Sequence, residues 1–175
     1  MFLMKKLLGL AAVAAVILGQ SFTSQAADIS FSVGQTGDSS MTYRLGLQSN
    51  WDASWWQSST GHLTGYWDGA YTYWEGDRTS AVHSLSFSPV FVYEFAGESV
   101  KPYVEAGIGV AAFSSTEIED NDLGAAFQFE DRIGGGIRFG AGQEIGFRVI
   151  HYSNAKMQRH NDGVESYALH YRMPL

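Results

Sequence analysis

The sequence predicts an all-β protein: an eight-stranded antiparallel transmembrane barrel with a filled polar interior. Three observations carry that expectation. An export signal opens the chain, a two-residue hydrophobic period runs from Ile29 to the C-terminus, and the connections between the periodic runs differ in length in a regular way.

Residues 1–26 read as a signal peptide. Lys5 and Lys6 form a basic start, Leu7 to Gly19 is an apolar run short for a spanning helix, and Ser24-Gln25-Ala26 has the small-x-small form of a cleavage site. Residues 27–175 then form one barrel domain. The whole chain has 11 basic against 18 acidic residues, and loss of the two lysines makes the remainder more acidic still, so nothing attracts nucleic acid. With no cysteine, neither disulfides nor thiol catalysis enter. Past the signal no apolar run is long enough for a spanning helix. An exported chain of this kind is periplasmic, secreted or a spanning barrel.

The periodic runs give strands at roughly 28–36, 40–54, 60–75, 81–97, 100–115, 124–139, 143–153 and 165–175. Tyr43, Leu45 and Leu47 alternate with Thr42, Arg44 and Gly46. Leu63, Trp67, Tyr71 and Tyr73 alternate with Thr64, Asp68 and Thr72. Leu85, Phe87, Phe91, Tyr93 and Phe95 alternate with serines, valines and Glu94. Tyr167, Leu169, Tyr171 and Met173 alternate with Ser166, Ala168, His170 and Arg172. The connections at 96–99 and 140–142 are short, whereas 116–123 and 154–164 are longer and polar. Bacterial barrels keep short turns on the periplasmic side and long loops outside, which orients the chain.

The polar parity carries Arg44, Asp68, Glu94, Glu105, Glu130, Arg132, Arg138 and Arg148, a set balanced in charge. Such a set suits an enclosed network, because a buried charge without a partner is costly. Aromatic residues make up 14% of the chain, and Trp51, Trp55, Trp56 and Trp74 sit near strand ends, where interfacial girdles lie. These features favour the membrane barrel over a lipocalin-like soluble one.

Polar residues in the outward rows are the exceptions. Asp131, His151, Ser153 and Glu165 share the lipid-facing parity, where charge costs about 2–4 kcal/mol near the midplane and little at the interface. The topology puts them at the extracellular rim, level with the outer-leaflet headgroups, which in Gram-negative cells belong to lipopolysaccharide. His151 and Ser153, two residues apart, share one face of one strand. If Ser153 pairs with Glu165, His151 faces Tyr167 and lies diagonal to Glu165, about 7–8 Å between backbones. This makes a candidate esterase triad. Ser153 is the nucleophile, His151 the base, Glu165 the orienting acid, and amides of the 154–161 loop hold the oxyanion. Asp131 is a rival or supporting acid, since residue sums near 282 set it opposite His151.

A histidine and a serine at this spacing usually mean nothing by themselves; His62, His83, His160 and His170 have no partner at triad spacing. The placement of several polar groups where polarity is penalised raises the odds. Gly134-Gly135-Gly136 precedes no helix and is no phosphate loop. No cluster has metal-ligand spacing, and no cofactor is expected.

The run His151-Tyr152-Ser153-Asn154-Ala155, followed by Asn161-Asp162-Gly163-Val164-Glu165-Ser166-Tyr167, resembles the PagL-type lipid A 3-O-deacylases. Met41 to Leu47, Phe91 to Gly97 and Phe129 to Gly134 look the same way, so the resemblance covers essentially the whole of 27–175. It implies an outer-membrane barrel that hydrolyses the ester-linked 3-hydroxyacyl chain at position 3 of lipid A, with lipopolysaccharide and outer-membrane lipid as partners. It also implies His151, Ser153 and Glu165 as the catalytic residues, Asn154 and Asn161 as oxyanion candidates, and a homodimer as a form the chain could take. One departure stands out: where members of the family can carry glycine three residues after the serine, this chain has Lys156. The competing readings are a non-catalytic adhesin or membrane-stabilising barrel and, behind it, a barrel protease.

Overall fold

The computed structural model describes residues 27–158 and 160–175; the expected signal peptide lies outside the described residues. The strands are β1 (Asp28–Thr36), β2 (Met41–Asn50), β3 (Gly61–Trp74), β4 (Val82–Phe95), β5 (Val100–Phe113), β6 (Glu117–Ile118), β7 (Asn121–Asp122), β8 (Phe127–Phe139), β9 (Gln143–Ser153) and β10 (Val164–Met173). Eight of them close antiparallel in the order β1-β10-β9-β8-β5-β4-β3-β2, and the two-residue strands β6 and β7 form a separate hairpin. Pairing of Ile29 with Met173 through Thr36 with Ser166 seals the barrel. Closure leaves no unpaired edge, which is what a sheet needs in lipid, where no water satisfies backbone groups.

The alternation in sequence becomes two walls. Inward rows are buried, whereas outward Leu45, Leu47, Leu85, Ile108, Ile133 and Leu169 are at least half exposed, as side chains facing hydrocarbon should be. All eight charged residues of the polar parity turn inward. Arg44 bridges Asp68 at 2.8 Å and Glu130 at 3.0 Å, Arg132 bridges the same two carboxylates at 2.6 and 2.7 Å, and Arg148 meets Glu105 at 2.5 Å. Arg138 pairs with Glu94 and Glu144 at the other end. Shared carboxylates let each guanidinium offset its lost hydration.

Above this ionic layer sits an apolar one. Trp74, Val82, Ala111, Phe113, Ile150, Tyr152 and Val164 meet Ile118 and Leu123, which descend from the 114–126 loop. That loop carries four carboxylates and only these two large aliphatic residues, so the β6–β7 hairpin folds back and buries them in the mouth. The Tyr152 hydroxyl links the layers by donating to Glu130 at 2.8 Å. The sequence pattern treated 116–123 as a polar loop and Trp74 as a girdle residue; instead both close the lumen, with Trp74 inward and 1% exposed.

At the opposite end the second strand stops at Asn50, short of the expected 54. Gly65 leaves a gap on the outer wall, and the Trp51 ring fills it: a Cβ on Gly65 would stand 2.3 Å from that ring. Trp51 then packs edge-on against Trp55, Trp67 and Phe91. The chain therefore leaves the ladder to cover the barrel's flank, making 51–60 an exception among the short turns.

Candidate active site

The β9–β10 hairpin and its neighbour β8 place the outward polar residues in one row. His151 pairs directly with Glu165 on one side and with Asp131 on the other. The second pairing matches the expected register. The first differs from the expectation of Glu165 opposite Ser153 by two residues, and the difference brings the carboxylate closer. The cause is the turn: 154–163 holds all of Asn154 to Gly163, so the ladder resumes at Val164 opposite Tyr152.

Glu165 Oε1 lies 2.6 Å from His151 Nδ1, with both side chains 39% exposed. This bond leaves Nε2 as the ring nitrogen directed away from the carboxylate. Gly163 fixes the other side of the ring. Its φ is +73°, and a Cβ there would stand 2.9 Å from His151 Cε1, so only glycine supplies both the backbone conformation and the space. The polar run 154–164 marked a loop here; the packing of Gly163 on the histidine was not visible in it.

Ser153 ends β9 on the same face, opposite Phe129, whose ring sits edge-on to Phe127. Among the described residues the Ser153 hydroxyl and the Asp131 carboxylate have no hydrogen-bond partner, so both remain open to a ligand. From His151 a groove of about 430 Å³ runs over the outer wall past Asp131, Ile133 and Ala106 to Phe91. Ala106, small and outward-facing, leaves room along its floor. The outward parity of the fifth strand contained that signal.

The two asparagines part company. Asn154 is fully buried; its side-chain amide donates to the carbonyls of Leu123 and His160, both at 2.8 Å, and its backbone N–H donates to Asn161 Oδ1 at 2.7 Å. It sits on the inward parity and anchors the loop to the barrel cap rather than reaching the outer wall. Asn161 accepts through its oxygen, which turns its amide nitrogen to other partners. Ala155 and Lys156 follow with φ of +53° and +64°, and Met157 N–H donates to Asn154 O at 3.0 Å. The backbone N–H groups of Ala155 and Lys156 have no acceptor among the described residues.

A half-buried serine beside a carboxylate-bound histidine, next to free amides and above an apolar groove, has the parts needed for acyl transfer to water. A family profile described as "Lipid A 3-O-deacylase (PagL)" matches residues 41–174. The chain is similar to "Lipid A deacylase PagL" of Pseudomonas aeruginosa, 61% identical over 173 residues, covering 98% of this chain and 100% of the relative. The protein of the same name from Bordetella bronchiseptica is 40% identical over 103 residues, 57% of this chain and 56% of the relative. A solved structure described as "Crystal structure of the outer membrane enzyme PagL" superposes with a TM-score of 0.82 at 63% identity, covering 85% of this chain and 100% of that one.

Proposed function

The chain belongs to the lipid A 3-O-deacylase (PagL) family, and from that premise we propose that it is an outer-membrane serine esterase that removes the 3-hydroxyacyl chain from position 3 of lipid A, using Ser153, His151 and Glu165. The observation that carries the residue assignment is the 2.6 Å contact between Glu165 and His151 Nδ1, two residues from a serine on the same lipid-facing row.

With Nδ1 bound to the carboxylate, Nε2 takes the proton of Ser153 as its oxygen attacks the ester carbonyl, and Glu165 stabilises the imidazolium. The negative charge gathers on the carbonyl oxygen, where the Asn161 side-chain amide and the free loop N–H groups of Ala155 and Lys156 are the donors at hand. Collapse breaks the bond to the sugar oxygen, which leaves with the proton from His151. Water, deprotonated by the same nitrogen, then attacks the acyl-serine; the products are a 3-hydroxy fatty acid and lipid A with a free 3-hydroxyl. Asn154 supports the loop without touching the oxyanion. Asp131, in the same row but unbonded to the ring, is a supporting acid at the mouth of the groove.

The groove suits the acyl chain. Its walls are Ile133, Val149 and Phe91, and it lies on the face that meets hydrocarbon, so the substrate reaches it without leaving the leaflet. Mass spectra of lipid A incubated with the purified protein test the reading: one 3-hydroxyacyl chain is lost from position 3 with the wild type and none with Ser153→Ala. Equal loss with both proteins would remove Ser153 from the mechanism.

A further inference from the structure

Lys156 is an uncommitted cation at the rim of the site. Its φ of +64° lies where glycine is the ordinary choice and a side chain is disfavoured. The ammonium is exposed and makes no ion pair or hydrogen bond among the described residues. Arg78, a second described cation at this end of the barrel, has an anionic neighbour, Asp120. Around them the loops are rich in carboxylates, among them Asp38, Asp77, Glu117 and Asp162. A lysine held in an unfavourable backbone conformation on an acidic rim, with no ion pair among the described residues, calls for an anion from outside.

We propose that Lys156 binds the phosphate on the reducing-end glucosamine of the lipid A molecule whose 3-O-acyl chain is attacked, and so selects substrates that carry that phosphate. The inference rests on the deacylase reading. The ester at carbon 3 and the phosphate at carbon 1 belong to one sugar ring, so a group near the nucleophile can meet both. Three residues separate Lys156 from Ser153, at most about 11 Å of chain, and the lysine stem spans several ångströms more. The second phosphate of lipid A sits on the other sugar. The base of the side chain is held firmly: Met157 N–H closes a turn onto Asn154 O, and Asn154 is tied to the barrel cap. Lysine meets phosphate as a point charge, without the paired geometry of arginine. Lys156 is thus a specificity-determining residue through its side chain, separate from the proton relay.

The test compares kcat/KM on three lipid A preparations in mixed micelles: with both phosphates, without the reducing-end phosphate, and without the distal one. The wild type should favour the reducing-end phosphate by about two- to five-fold, the scale of an exposed ion pair, and be indifferent to the distal one. Lys156→Gln and Lys156→Gly should bring the ratio to one, whereas Lys156→Arg keeps it. A Lys156→Gln protein that retains the preference, a preference that follows the distal phosphate, or one that disappears when phosphatidylglycerol is added in excess would each overturn the proposal. Affinities of the Ser153→Ala protein, with and without Lys156→Gln, for the same preparations supply a readout free of catalysis. If the wild type releases no hydroxy acid, the deacylase reading falls while those affinities still decide whether Lys156 reads the phosphate.

Discussion

Glu130 and Asp131 are adjacent on one strand and carry the same chemical group, yet they face opposite solvents. Glu130 points into the lumen, fully buried, and takes hydrogen bonds from Arg44, Arg132, Ser88 and Tyr152. Asp131 points into the lipid layer and has no partner among the described residues. Across the ladder the same split separates Tyr152, bonded inside, from His151 and Ser153 outside. Inside the barrel charges pair with one another, and what results is stability. On the outer wall the polar groups are few and some are left open, and what results is a place for chemistry. A two-residue period that alternates faces lets one strand serve both ends.

Mutations should therefore separate stability from activity according to the parity of the residue. The largest effect expected is on activity alone. Ser153→Ala should lower the rate of acyl release by about 10³-fold or more, with thermal unfolding of the detergent-solubilised barrel unchanged. Next comes an effect on stability alone. Glu130→Ala leaves Arg44 and Arg132 to share Asp68 alone in the lumen and should lower stability by about 3–5 kcal/mol, read as a fall in urea midpoint, with activity per folded molecule kept. If Glu130→Ala abolished activity in a barrel that stayed stable, the division between the two walls would be wrong.

Two smaller effects sharpen the outer wall. Glu165→Ala should reduce kcat by about 10²-fold or more, and Asp131→Ala by much less, because the bond to Nδ1 comes from Glu165. The reverse order would give the orienting role to Asp131. Gly163→Ala meets both a positive φ and the imidazole edge, and should cost about 1 kcal/mol of stability along with a several-fold loss of kcat.

Most of this division was legible in the sequence. The dyad period of strands such as 165–175 sets the two walls, and polar residues in an apolar row single out His151, Ser153, Glu165 and Asp131. The register of β8 against β9 also follows from the tight turn at 140–142. What the pattern does not carry is whatever depends on loops and on empty space. The loop 154–163 shifts the β9–β10 register so that Glu165 faces His151 directly. Asn154 and Asn161 look alike as letters, but one more residue of strand parity sends the first inward to Leu123 O. Ile118 and Leu123 cap the mouth because two aliphatic residues in an acidic loop have only the lumen to enter. Trp51 leaves its strand because Gly65 offers a hollow. Each of these is a fact of packing between segments distant in sequence, where a period counted along one strand has nothing to say.

The central claim is that the reactive serine works from the lipid-facing wall. A long-chain alkyl fluorophosphonate, which partitions into the membrane and phosphonylates activated serines, tests it most directly. Peptide mass mapping of the protein treated in bilayers should find one adduct, on the peptide bearing Ser153, absent from Ser153→Ala and strongly reduced in Glu165→Ala. An adduct on a lumen-facing residue such as Ser88, or an unmodified Ser153 in protein that still deacylates lipid A, would contradict it.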